Sequence, residues 1–272
     1  MLLQDKLKQF SNDGKALLAT NFYNFETLSG VLQAAKLKNK AIILQLSESS
    51  IQYLGLGVSI AMARAALDSY GLNGWLHLDH GSSVEMAHKC LDAGFDSVMI
   101  DASEKSFEDN IKTTSQVVNI AERYSANVEA ELGYIAKLGQ EQIVSIYTQP
   151  EEAKIFVEAT GVNALAIAVG SAHGFYKETP QLQIELIAQI HHATSAALVL
   201  HGGSGIPGNQ LQSAIKSGIC KINLATETKN VFMKTLQQIL LKTNEIDLRK
   251  VFPLATESVI KLIGDKLDII SV

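Results

Sequence analysis

Short apolar runs recur along this chain at LLAT (17–20), AIILQL (41–46), WLHLD (75–79), SVMID (97–101), NVEAE (127–131), ALAIAV (164–169), ALVLH (197–201) and ICKIN (219–223). Runs of this length and spacing read as strands buried on both faces. Amphipathic stretches separate them, such as SVEMAHKCLDAG (83–94) and PGNQLQSAIKSG (207–218). The second opens on proline and closes on glycine, the order in which helices are punctuated. Eight buried strands alternating with helices predict an α/β fold, a parallel (β/α)8 TIM barrel. Only four prolines occur and no Ser/Gly-rich linker breaks the alternation, so residues 1–272 are expected to form one barrel domain.

The polar residues fall where such a barrel would use them. The runs end on or beside Asn21, Ser47, Asp79 with His80, Asp101, Glu131, His201 and Asn223, and His173 lies just beyond the sixth. In a parallel barrel these ends share one rim, the rim on which active sites are built. Three imidazoles from separate elements, His80, His173 and His201, suit a catalytic zinc ion with one coordination position left open. Asp79, beside His80, is placed to give or take a proton. Asp101 and Glu131 offer oxygen ligands for a second or alternative metal position, or partners that orient the histidine rings. His77, inside a strand, is expected to pack within the barrel, and the helical His88, His191 and His192 to be solvated.

Two further segments point to an anion. HGGSGIPG (201–208) is a glycine-rich turn opening a helix, and INLATET (222–228) places Asn223, Thr226 and Thr228 at another helix start. Glycines let backbone N–H groups approach an anion, and helix N-termini favour negative charge. Barrels often bind phosphate with the loops after strands seven and eight, where both segments fall. A phosphorylated substrate is the expectation.

Composition narrows the partners. The chain is 47% hydrophobic and 19% charged, enough for a large closed core. A net charge of −5 argues against general affinity for nucleic acid or anionic membranes. Cys90 and Cys220 sit in apolar or helical context and suggest no disulfide framework. MLLQDKLKQF becomes charged too soon for a signal peptide, and no apolar run approaches the roughly 18 residues of a membrane span. A soluble, cytoplasmic protein is expected.

Read in order, TNFYNFET (20–27), LSES (46–49), LHLDHGSS (76–83), DSVMIDAS (96–103), VEAELG (128–133), AVGSAHGFY (168–176), LVLHGGSG (198–205) and KINLATE (221–227) resemble the class II, metal-dependent ketose-bisphosphate aldolases nearly end to end. The wording SAHGFY and INLATE is most similar to the tagatose-bisphosphate aldolase branch. The resemblance implies Zn2+ on His80, His173 and His201, with Asp79 as proton donor and Asp101 and Glu131 at a second or displaced metal position. It implies that Gly174, Gly202, Gly203, Ser204 and the run Asn223, Leu224, Ala225 and Thr226 grip the dihydroxyacetone-phosphate half of the substrate. Ser47 is expected to contact substrate and Asn24 to lie near its carbon chain, with a monovalent cation, Na+ or K+, near the phosphate. The implied activity is reversible cleavage of tagatose or fructose 1,6-bisphosphate into dihydroxyacetone phosphate and glyceraldehyde 3-phosphate, by a homodimer or homotetramer.

One segment departs from the family pattern. After VEAELG the family continues with a Gly-Gly pair and a mobile loop carrying a catalytic glutamate; here the text is YIAKLGQEQIVSIYTQP (134–150). Glu141 is either a substitute loop base or a solvated residue. This leaves open an altered-substrate dihydroxyacetone-phosphate aldolase, or a weakly active or non-catalytic barrel subunit. A metal-dependent barrel hydrolase is disfavoured, because such enzymes commonly carry His-x-His on the first strand and this one ends ATN.

Overall fold

Each apolar run becomes a strand, and the strands close on one another. The structure is a computed structural model that describes residues 1–133, 135, 147–176 and 178–271. Its strands are β1 (Leu17–Asn21), β2 (Ile42–Ser47), β3 (Gly74–Gly81), β4 (Ser97–Ile100), β5 (Asn127–Leu132), β6 (Ala164–Ile167), β7 (Ala197–Leu200) and β8 (Ile219–Leu224). They pair in parallel in chain order, and β8 returns to β1 to complete the barrel. Helices connect successive strands, so each strand is covered outside by helix and inside by the barrel core, which is why the runs are almost continuously apolar.

Two strand ends differ from expectation in ways that matter. β3 continues through His80 to Gly81, so His80 belongs to the strand rather than following it. β6 stops at Ile167 because Ala168 leaves the ladder: its N–H donates to Thr148 Oγ1 at 2.8 Å and its carbonyl accepts from Thr148 N at 3.0 Å. His173 is therefore carried on a loop.

The two ends of the barrel differ in chemistry. The helix Leu3–Asn12 plugs the N-terminal end, burying Leu3 and Leu7 against Leu17, Ala19, Ile43, Trp75 and small residues of β6 and β7. Truncating Leu7 to alanine would cost about 2–5 kcal/mol. The C-terminal end is left for polar side chains. The C-terminal helix Leu248–Ile270 packs on its own barrel, with Val259, Ile263, Leu267 and Ile270 buried. That helix crosses Phe25–Lys38 at Gly30, where a β-carbon would press on Val259. Cys90 and Cys220 are buried free thiols, as expected of small core residues. Among the described residues no single helix is long and apolar enough to cross a membrane.

Candidate active site

Asp79 and His80 are consecutive, and in a regular strand their side chains would point to opposite faces. His80 adopts a left-handed backbone, φ 51°, and the β3–β4 register shifts between Leu78 and Gly81. This local irregularity lets both side chains face the same cleft, a strained conformation of the kind retained where a side chain must be re-aimed. Gly81 follows because a β-carbon there would collide with the carbonyl of Met99.

Asp79 is gripped from β1 and β2. Asn21 Nδ2 donates to Oδ2 at 2.8 Å and Gln45 Nε2 donates to Oδ1 at 3.2 Å. Burial opposes ionisation of Asp79, but His80, His201 and the Asn21 hydrogen bond outweigh it and hold the carboxyl below its ordinary value. It stands ready as a base.

The three histidines converge. Ring centroids of His80 and His173 lie 5.0 Å apart, those of His80 and His201 4.8 Å, and those of His173 and His201 5.6 Å. His80 Nε2 faces His201 Nδ1 at 3.1 Å. One ligand atom from each of these rings and one from Glu131 all lie within 4.8 Å of one another. Glu131 Oε2 is buried with no hydrogen-bond partner. Facing imidazole nitrogens with an orphaned carboxylate oxygen are a donor set that fits a divalent cation. Burial and the nearby Asp101 push the Glu131 carboxyl up to about 8. Burial alone would lower His80, but the Asp101 hydrogen bond and the Asp79 and Glu131 carboxylates raise it to about 9.

The rings are oriented from behind. His80 Nδ1 donates to Asp101 Oδ2 at 2.8 Å, which frees Nε2 for the cleft. Asp101 is itself fixed by the Ser103 hydroxyl at 2.7 Å. His201 Nε2 donates to Glu129 Oε1 at 2.8 Å, which frees Nδ1. Glu129 Oε2 accepts from Lys221 Nζ at 2.7 Å, an ion pair with neither side chain exposed. Beneath it His77 bonds through Nδ1 to Ser97 Oγ at 2.6 Å, inside the barrel as expected. Burial, then Lys221, keeps His77 neutral; burial, then His80, does the same for His201.

The glycine-rich turn lies beside these rings. Gly202 takes a left-handed φ of 66°, and a β-carbon there would collide with the Ala172 carbonyl. Tyr176 ties the two loops together: its hydroxyl accepts from Ala172 N at 2.7 Å and donates to Gly202 O at 2.9 Å. A cleft of about 60 Å³ touches Asp79, the three histidines, Ser204 and Thr226, and a wider groove of about 820 Å³ runs from His80 and His173 past Ser47 and Asp101.

The family model for class II fructose-bisphosphate aldolases matches residues 2–272. The chain belongs to the class II fructose-bisphosphate aldolase family. A fructose-bisphosphate aldolase of Staphylococcus aureus (strain Mu50) is 37% identical over 97% of this chain and 95% of its own length. The crystal structure of the YdjI aldolase of Escherichia coli K12 superposes with a TM-score of 0.89 at 30% identity, covering 99% of this chain and 97% of that one. The fructose-bisphosphate aldolase of Campylobacter jejuni, at 22% identity and a TM-score of 0.86, shares the fold. Class II aldolases are carbon–carbon lyases and metal-dependent, in keeping with the His/Glu cluster.

Against this aldolase frame the site residues read from sequence divide. His80, His173, His201, Glu131 and Asp79 meet, with Gly174, Gly202, Ser204, Asn223, Ala225 and Thr226 around them. Asp101 stands behind His80 and outside the four-residue ligand cluster. Asn24 lines neither cleft: its Oδ1 caps the helix Phe25–Lys38, accepting from Thr27 N at 3.0 Å. Gly203 N–H is committed to Asn223 O at 3.0 Å, and the Leu224 side chain is buried in the outer core. Ser47 caps the short helix Glu48–Leu54 on the groove wall. Glu141 lies outside the described residues. His191, expected to be solvated, is half-buried against Gly218. Asn21, read from sequence as a rim residue, supports Asp79, while Gln45, Glu129 and Lys221 are supporting residues that the motifs did not single out. The one local signal was alternation: Glu129 stands two before Glu131, and Lys221 two before Asn223, so each shares the inward face.

Proposed function

We propose that this aldolase reversibly cleaves a ketose 1,6-bisphosphate, fructose or tagatose, into dihydroxyacetone phosphate and glyceraldehyde 3-phosphate. The observation that carries the reading is the meeting of three imidazoles with a doubly held Asp79 beside a glycine-rich turn. His80, His173 and His201 would hold Zn2+, with Glu131 as the displaced or additional ligand. When bound, the cation supplies Lewis-acid polarisation of the substrate ketone.

This chain's own residues do the rest. In cleavage Asp79 takes the proton from the C4 hydroxyl as the C3–C4 bond breaks; in condensation it returns that proton to the aldehyde oxygen. Asn21 and Gln45 keep its oxygens aimed during both steps. Ser204 Oγ accepts from Glu227 N at 3.3 Å, so its hydroxyl hydrogen is free to donate to a phosphate. The helix start at Thr226 adds a favourable field for the anion. In this reading the enzyme works in the cytoplasm on a free phosphorylated sugar, as a homodimer or homotetramer, with Na+ or K+ near the phosphate and neither nucleic acid nor membrane as a partner.

The relative from Staphylococcus aureus carries a fructose name, whereas SAHGFY and INLATE resemble the tagatose branch. The unusual 134–150 segment supports, as second reading, an aldolase of the same donor with another aldehyde. An aldol-cleavage assay on both epimers, with and without chelator, decides. Chelator-sensitive cleavage of either epimer is expected. Chelator-insensitive turnover would remove the metal from the reading, and cleavage of neither epimer would favour the second.

A further inference from the structure

The glycine-rich turn is clasped by a residue of the wrong charge for an anion site. Gly205 N–H donates to Glu227 Oε1 at 3.1 Å, while Glu227 N–H donates to Ser204 Oγ at 3.3 Å. This reciprocal pair joins the turn after β7 to the helix Thr226–Leu240 after β8, the two segments assigned to phosphate. A carboxylate is a strong acceptor for a backbone N–H. It is also a repulsive neighbour for a phosphate a few ångströms away. The structure supplies a counter-charge: Lys266 Nζ lies 2.8 Å from Glu227 Oε2, with the two side chains 11% and 20% exposed. Lys266 comes from the C-terminal helix Leu248–Ile270, which also backs the end of the turn, where a β-carbon on Gly208 would meet Ile269.

We infer that Lys266 is a positioning residue that neutralises Glu227, so that the carboxylate can hold the phosphate turn without repelling the phosphate. The inference rests on the reading of the turn as a phosphate grip. It assigns a role in substrate affinity to a residue on the far side of the turn, which need not touch substrate. The pair is partly buried, so solvent screens it less than a surface ion pair. Its charges act on the anion as a unit: removing the cation alone exposes a negative charge, whereas removing both restores neutrality.

The test uses the metal-loaded enzyme, with kcat and KM for the ketose bisphosphate and competitive inhibition by inorganic phosphate, alongside thermal melting. Lys266→Met keeps the aliphatic stem but strands the carboxylate; KM and the phosphate inhibition constant should each rise about tenfold, with kcat changed less than about twofold. Lys266→Arg should behave as wild type. Glu227→Gln combined with Lys266→Met keeps an acceptor for Gly205 N–H without charge, and should bring both constants back to within about threefold of wild type. The inference is overturned if the double variant is as weak as Lys266→Met. It is also overturned if Lys266→Met lowers the melting temperature while both constants stay unchanged, since the pair would then only strap the helix. A wild-type enzyme that cleaves neither epimer and is blind to phosphate would bring down the reading of the site itself, and the neutralising role with it.

Discussion

Glu129 Oε1 accepts the Nε2 hydrogen of His201 at 2.8 Å, deep in the barrel where neither side chain is exposed. The bond chooses the tautomer: with Nε2 protonated, Nδ1 presents its lone pair toward His80 and Glu131. Lys221 in turn neutralises Glu129. A buried pair of this kind costs desolvation, and its worth here lies in orienting a ligand rather than in stability. Glu129→Gln keeps an acceptor for the ring but leaves Lys221 without its counter-charge. Zinc affinity, read by competition with a chromogenic chelator, should fall by about 10–100-fold. Wild-type affinity in that variant would remove Glu129 from the orienting role.

Asp79 is held by two amides and ionised at rest. Asp79→Asn should lower kcat for cleavage by about 10²–10⁴-fold with KM nearly unchanged, since the loss is a proton transfer and not binding. Asn21→Ala, which removes only the 2.8 Å hydrogen bond, should lower kcat less. A normal kcat in Asp79→Asn would show that another group carries the proton.

Any cation at the His/Glu cluster competes with protons for its ligands. Glu131 is pushed up to about 8 and His80 up to about 9, so at neutral pH each carries a proton that a metal bound through it must displace. Both are raised, so the protonated forms dominate below these values and the ligand forms above them. Metal affinity should therefore climb with pH, by up to about a hundredfold per unit from pH 6 to 8 if both groups ligate and by about tenfold per unit from there until it levels off near pH 9. Calorimetric titrations in several buffers would record the proton release; affinity independent of pH would contradict it.

Tyr176 bridges the loop bearing His173 and the turn after His201. Tyr176→Phe leaves the Ala172 N–H without its acceptor and the Gly202 carbonyl without its donor. A loss of about 1–3 kcal/mol in unfolding free energy is expected, together with a several-fold weaker zinc affinity because two ligand loops loosen at once. Urea denaturation and the chelator competition measure the two effects separately.

Much of this molecule was legible locally. Strands covered on both faces must be apolar along their length, so eight such runs separated by helical periodicity announced a parallel barrel. The chemistry at their C-terminal ends, including His80, His173, His201, Asp79 and Glu131, was visible because parallel strands place those ends on one rim. The motif TNFYNFET carries two asparagines three residues apart, and their surroundings differ. Strand periodicity aims Asn21 at the cleft, whereas Asn24 begins a helix and uses its side chain to cap it.

What local patterning could not supply was which residues support which. Asn21 and Asp79 are 58 residues apart, Gln45 and Asp79 34, Glu129 and Lys221 92. Each pair meets only because barrel closure sets the register of neighbouring strands and forces inward polar groups to satisfy one another where water cannot reach. The left-handed turn at His80 is of the same origin: a strand alternates its side chains by rule, and only the β3–β4 irregularity puts Asp79 and His80 on one side. Residue types and their rim followed from covalent order and burial; their partners, tautomers and aim followed from closure of the sheet.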